Sequence, residues 1–221
     1  GKFKNKVSLN YSGAATIFDG YEKIESEAKV KIIFKDDEPV TELNKNDEGL
    51  IVLDQTPFYA ESGGQVGDIG ILKSKVGVFK VLDTYKIKEE IFGHWGKVVS
   101  GIIKIDQTVD ASVDAKNRDD IRRNHSATHL LHKALKIILG DHVEQKGSLV
   151  SAARTRFDFS NPKSLSLDEI SQVEDIVNGE IMKNENTETK LMDFEDAQKY
   201  GAMMLFGEKY GDKVRVLDIG N

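Results

Sequence analysis

His125, His129 and His132 fall within eight residues and account for three of the five histidines in this 221-residue chain. Read as a helix, the run sets the first two imidazoles four residues apart, on one face and about a turn from each other. Two imidazoles at that spacing can reach one metal ion, as helical zinc pairs do. His132 lies three residues beyond His129 and shares part of the face. No glutamate stands inside the pair, so the metalloprotease pattern is not met. The spacing also suits histidines satisfied by neighbours at the edge of a core, and two ligands are half of a zinc site. The residues by themselves leave both readings open.

The sequence has no cysteine, which excludes thiolate chemistry and disulfides and leaves histidines and carboxylates as candidate ligands. A formal charge of −6 does not describe a nucleic-acid binder taken whole, although local patches make phosphate contacts. Arg122, Arg123, Lys133, Lys136, Lys146, Arg154 and Arg156 are scattered along the histidine helix and the strands expected after it. Such a scatter is more often a solvated face than a binding patch. The run Thr56-Pro-Phe-Tyr-Ala-Glu-Ser-Gly-Gly-Gln65 reads as a shaped loop, with Pro57 fixing one dihedral and Gly63, Gly64 and Gly67 permitting turns. It lacks the Gly-Lys-Ser/Thr end of a phosphate loop, so a tight turn between strands is the plain reading.

The elements that must position these groups can be read from periodicity. Residues 27–34, 50–53, 76–82, 97–103 and 108–113 carry short apolar or alternating runs and read as strands of a small barrel or sandwich. The pattern changes near Asp114, which sets expected subdomains of 1–113 and 114–221. Ile121, Leu130, Leu131, Ala134, Leu135 and Ile138 keep close to a 3.6 period, with Gly140 as the stop. A hairpin is expected over residues 147–159. Ser166-Leu-Asp-Glu169 forms a capping box ahead of a stripe of Ile170, Val173, Val177 and Ile181. A short helix at 195–200 and a strand at 214–219 complete an α+β fold, a β-rich barrel-like part followed by a mixed α/β part. No apolar run approaches the roughly 20 residues of a membrane span. Gly1-Lys-Phe-Lys-Asn5 has no signal-peptide core, and a cytoplasmic protein is expected.

The stretch Asn124-His-Ser-Ala-Thr-His-Leu-Leu-His132 resembles the signature of the alanyl-tRNA synthetase editing domain and its free-standing relatives. A more distant similarity links it to the editing domain of threonyl-tRNA synthetase. Phe18-Asp-Gly-Tyr21, the run from Leu53 to Asp68, His142–Val150, Arg156-Phe-Asp-Phe159 and the run from Gly201 to Asp212 fit the same family in order. The resemblance implies hydrolysis of seryl- or glycyl-tRNA(Ala), with tRNA(Ala) as partner and zinc held by His125 and His129. It implies catalytic roles for Thr128, Gln145 and Gln65, and substrate contacts from Gly63, Gly64, Ser148 and Arg123. In the family a Cys-x-x-x-His segment after the strand at 214–219 supplies two further zinc ligands. The sequence ends at Asn221 without it, so the expected metal site is half-built, in a piece of a longer synthetase whose activity by itself is expected to be weak or absent. ATP and magnesium are expected only in an activation region outside this chain.

Overall fold

Burial with a period of two organises the first half of the chain. The computed structural model describes residues 11, 13–200 and 212–219, so the motif read at 201–212 lies outside it except for Asp212. The chain divides into two compact units between Ile121 and Arg122. In order, the first contains β1 (Ile17–Phe18), β2 (Glu25–Lys35), β3 (Glu38–Val40), β4 (Glu42–Asn44), β5 (Glu48–Leu53), β6 (Gln55–Thr56), β7 (Gly70–Lys73), β8 (Gly77–Lys88), β9 (Ile91–Lys104) and β10 (Thr108–Val113). On β10, Val109, Ala111 and Val113 are buried while Asp110 is exposed, the alternation a pleated strand demands.

β10 pairs with β7 on one side and β2 on the other, so the antiparallel circuit β10–β7–β8–β9–β5–β2 closes into a six-strand barrel. Closure removes the unpaired edges an open sheet would present. β3 extends the pairing of β2, and β4 pairs with β9. Phe58, Phe79, Ile33, Ile51 and Leu72 fill the interior with no measurable exposure. Each such side chain contributes roughly 1.5–3 kcal/mol of burial. Outside the barrel, Phe34 and Leu50 form a second cluster with Trp95 and Tyr85, which is why β5 is buried on both faces.

The strands expected at 27–34, 50–53, 76–82, 97–103 and 108–113 are β2, β5, β8, β9 and β10. β7, which completes the circuit, lies in what reads as the end of a turn-rich segment. Its four residues bury one side chain, Leu72, too little for a visible period.

α1 (Ala115–Leu139) begins in the first unit and continues into the second. Asp114 caps it, its Oδ1 accepting from the Asn117 N–H at 2.9 Å. β11 (Gln145–Val150) and β12 (Thr155–Phe159) form the expected hairpin. α2 (Leu167–Lys183) opens with the reciprocal Ser166–Glu169 capping box. β13 (Thr187–Asp193), α3 (Phe194–Lys199) and β14 (Lys213–Ile219) come next, the two strands paired antiparallel. Ala134, Leu135, Val143 and Val173 centre the core of α1, α2 and the hairpin. The α2 stripe differs from the expected one: Val173, Ile176 and Val177 pack, while Ile170 and Ile181 at its edges are exposed. The whole is α+β, a barrel followed by a mixed α/β unit. No described helix is long and apolar enough to cross a membrane.

One buried group makes the barrel pH-sensitive. His94 on β9 is fully buried; its Nδ1–H donates to the Ile51 carbonyl at 2.9 Å and its Nε2 accepts from the Thr56 hydroxyl at 2.7 Å. Burial pushes its pKa down to about 4, against a smaller upward pull from the Ile51 carbonyl. A histidine free in the unfolded chain titrates near 6.5, so between the two values the unfolded state binds the extra proton. Stability therefore falls as pH drops from 6.5 towards 4, by up to about 3 kcal/mol. Urea unfolding at a series of pH values should show that slope, and a His94→Asn variant should flatten it.

Candidate functional site

The 54–68 loop and the start of α1 are fixed by one buried ion pair. Arg118 and Asp68 are both buried; the Arg118 Nε–H donates to Asp68 Oδ2 at 3.1 Å, and Nη2 donates to the same oxygen. The guanidinium also donates to the Gly20 carbonyl at 2.8 Å and to the Pro57 carbonyl at 2.5 Å. Asp68 Oδ2 takes a further bond from the Tyr59 N–H at 2.7 Å, and the Asp68 carbonyl accepts from the Thr84 hydroxyl at 2.8 Å. One residue on the first turn of α1 thus ties down the loops at 18–21 and 54–68, both of which carry the resemblance.

Gly63 and Gly64 sit at the tip of that loop with φ of 56° and 86°, while Ser62 and Gln65 exchange backbone hydrogen bonds at 3.2 and 2.9 Å. Two successive positive φ values make a two-residue hairpin turn that residues with a Cβ enter only at a cost. The plain reading of this segment as a tight turn therefore holds. Gln65, Gly63 and Gly64 belong to the first unit; Arg123, His125, Thr128, His129, Gln145 and Ser148 belong to the second.

On α1 the imidazoles of His125 and His129 come together, ring centroids 5.0 Å apart and planes within 16°. Burial lowers both pKa values, that of His129 to about 4 with the charges of His125 and His132 adding to the effect. Both rings are therefore neutral at pH 7, the form that ligates metal. Two neutral, parallel imidazoles fit half the donor set of a zinc ion. Among the described residues no group of three His, Asp, Glu or Cys side chains could hold a metal.

Thr128, between the pair, is buried, and its hydroxyl donates to the Asn124 carbonyl one turn back at 2.8 Å. Its proton is committed there, which leaves its lone pairs to accept from a ligand. Asn124 in turn donates from Nδ2 to the carbonyls of Ser151 and Ala152 at 2.8 and 3.2 Å, tying the helix to the hairpin turn. Arg123 is exposed.

On the hairpin, Gln145 is opposite Phe159 and Ser148 is opposite Phe157, with a bulge between Gln145 and Gly147. Residues three apart on a regular strand face opposite sides; the bulge lets both follow Phe157 and Phe159, which share one side of β12. Gln145 is buried and its Oε1 has no partner in the protein, whereas Ser148 is half-buried. Sequence reasoning assigned no role to Arg118 or Asn124. For Arg118, whose partner is 50 residues away, no local signal exists.

Residues 2–117, just over half the chain, match the profile of the class II (A) tRNA synthetases, and the chain belongs to that family. Its relatives include the alanine–tRNA ligases of Methylobacillus flagellatus, 54% identical over 220 residues, and Dechloromonas aromatica, 56% identical over 221. That of Thiobacillus denitrificans is 55% identical over 221 residues. Each match covers 100% of this chain and 25% of the relative, so the chain spans about a quarter of the length of the curated relatives it matches. The likeness to alanyl-tRNA synthetase first seen in the histidine motif thus extends over the full sequence.

Breaking the Arg118–Asp68 pair from one side strands a buried charge. Arg118→Met should cost about 3–5 kcal/mol in chemical denaturation, and Asp68→Leu in the same chain should recover much of that loss.

Proposed function

We propose that this chain hydrolyses alanine tRNA that has been charged with the wrong amino acid, serine or glycine. The observation that carries the reading is the pair of neutral, parallel imidazoles of His125 and His129 with the buried Thr128 between them. Membership in the synthetase family and the likeness to alanine–tRNA ligases support tRNA(Ala) as the partner, and the cytoplasm, where tRNA is charged, as the setting.

The chemical need is clear. A pocket sized for alanine rejects serine's extra hydroxyl or glycine's missing methyl by only about 1–3 kcal/mol, so a second site must remove the errors. In the reaction, water adds to the ester carbonyl and the bond to the ribose oxygen breaks. Free amino acid and tRNA with its hydroxyl restored are released, and the acid proton passes to solvent. His125 and His129 would hold zinc, which when bound supplies a Lewis acid. Thr128 offers only lone pairs, so it accepts a hydrogen bond from the substrate's ammonium or hydroxyl. Gln145 presents an unpaired carbonyl oxygen in the same unit. By resemblance Gln65 takes a catalytic role, and Gly63, Gly64, Ser148 and Arg123 make substrate contacts. Of the basic residues near α1 and the hairpin, Lys146 is paired with Glu144 at 2.9 Å and Arg156 with Asp158 at 3.1 Å. That pairing makes a strong RNA patch from those two side chains less favourable.

The test is hydrolysis of seryl-tRNA(Ala) by the chain with zinc added, beside a His125→Ala, His129→Ala double variant. Slow cleavage by the wild type, lost in the variant, is the expected result. Binding of the tRNA with no cleavage by the wild type would replace this reading with a non-catalytic tRNA-binding module.

A further inference from the structure

Within the second unit, the buried side-chain atoms that lack a hydrogen-bond partner all belong, among the described residues, to His132 and Gln145. His132 is 5% exposed; the Val143 backbone lies close enough to its ring to pull its pKa upward, but neither ring nitrogen makes a hydrogen bond of normal geometry to the protein. Gln145 is 6% exposed, with Oε1 unpaired. A buried polar atom left without a partner costs about 1–3 kcal/mol, so three in one small core ask for an explanation.

The two side chains lie over the same side of the hairpin. The His132 ring packs on Phe157 with centroids 5.0 Å apart, and Phe157 stacks on Phe159 at 6.0 Å. Phe159 is the cross-strand partner of Gln145. A neutral imidazole carries one N–H donor and one acceptor nitrogen, and Gln145 Oε1 is an acceptor. The group that satisfies a donor and an acceptor together is one that both accepts and donates, and the near-complete burial of both side chains restricts it to something very small.

We propose that His132 and Gln145 together hold a single hydroxyl group, which accepts from the His132 ring N–H and donates to Gln145 Oε1. This rests on the hydrolase reading and assigns His132 as a positioning residue within that site. Two sources share the chemistry: the side-chain hydroxyl of a seryl ester, and a water molecule.

The experiment compares the full chain with His132→Phe, which keeps a ring against Phe157 but removes both nitrogens, and with His132→Asn, which keeps a donor and an acceptor. Each is assayed with zinc on seryl- and glycyl-tRNA(Ala). For His132→Phe we expect kcat to fall about tenfold or more with KM changed less than about twofold, and His132→Asn to restore part of the rate. Loss on the seryl ester alone identifies serine's hydroxyl as the guest, and equal loss on both esters identifies water. Wild-type rates on both esters in His132→Phe overturn the proposal. A second readout holds if the wild type cleaves neither ester, the outcome that removes the hydrolase reading. In 15N-edited spectra of the imidazoles, the His132 ring N–H should contact bound water; a ring N–H bonded instead to the Val143 carbonyl, with no water contact, overturns the site.

Discussion

The contact of Arg118, through two of its N–H groups, with one carboxylate oxygen of Asp68 is the constraint on which the candidate loops depend. Neither charge has much access to water, so each exists in the fold only because the other is there. The guanidinium also donates to the Gly20 and Pro57 carbonyls, in loops whose nearest ladder is the short parallel pairing of β1 with β6. A planar fork with five donors suits this task; a lysine, with its single point of charge, could not brace both loops at once. The first turn of α1 is therefore part of the barrel's own structure as well as the beginning of the histidine helix.

The polar groups of the second unit work differently. Asn124 and Thr128 satisfy each other and the hairpin turn with ordinary neutral bonds, and the two neutral imidazoles stay uncharged because burial disfavours the proton. The result is a face with several acceptors and with its donors largely committed within the protein. Such a face suits a cation or a ligand that brings its own N–H or O–H groups.

Much of the fold could be read from residue order because the physics behind it is local. Alternation marked β2, β8 and β10, a continuous apolar run marked β5, and the Ser166–Glu169 box and Gly140 marked helix ends. What escaped was either short or non-local. β7 is four residues long, and the first half of β9 hides behind Gly93, His94, Trp95 and Gly96, which break the apolar rhythm. The His94–Thr56 and Arg118–Asp68 contacts join residues 38 and 50 positions apart, so nothing in either neighbourhood announces them. The histidine pair was visible because helical spacing is itself local. The unsatisfied state of His132 depends on what packs around it, which spacing does not encode.

The bulge on β11 turns strand parity into a matter of chain length. Gln145 and Ser148 face the same side only because the strand carries one residue more than its partner between Gln145 and Gly147. Loss of that residue would leave the ladder more regular and the hairpin intact, yet it would return the two side chains to the positions of a plain strand. Such a deletion would take one of the two off the shared face. In this hairpin, the count of residues carries as much chemical information as their identity.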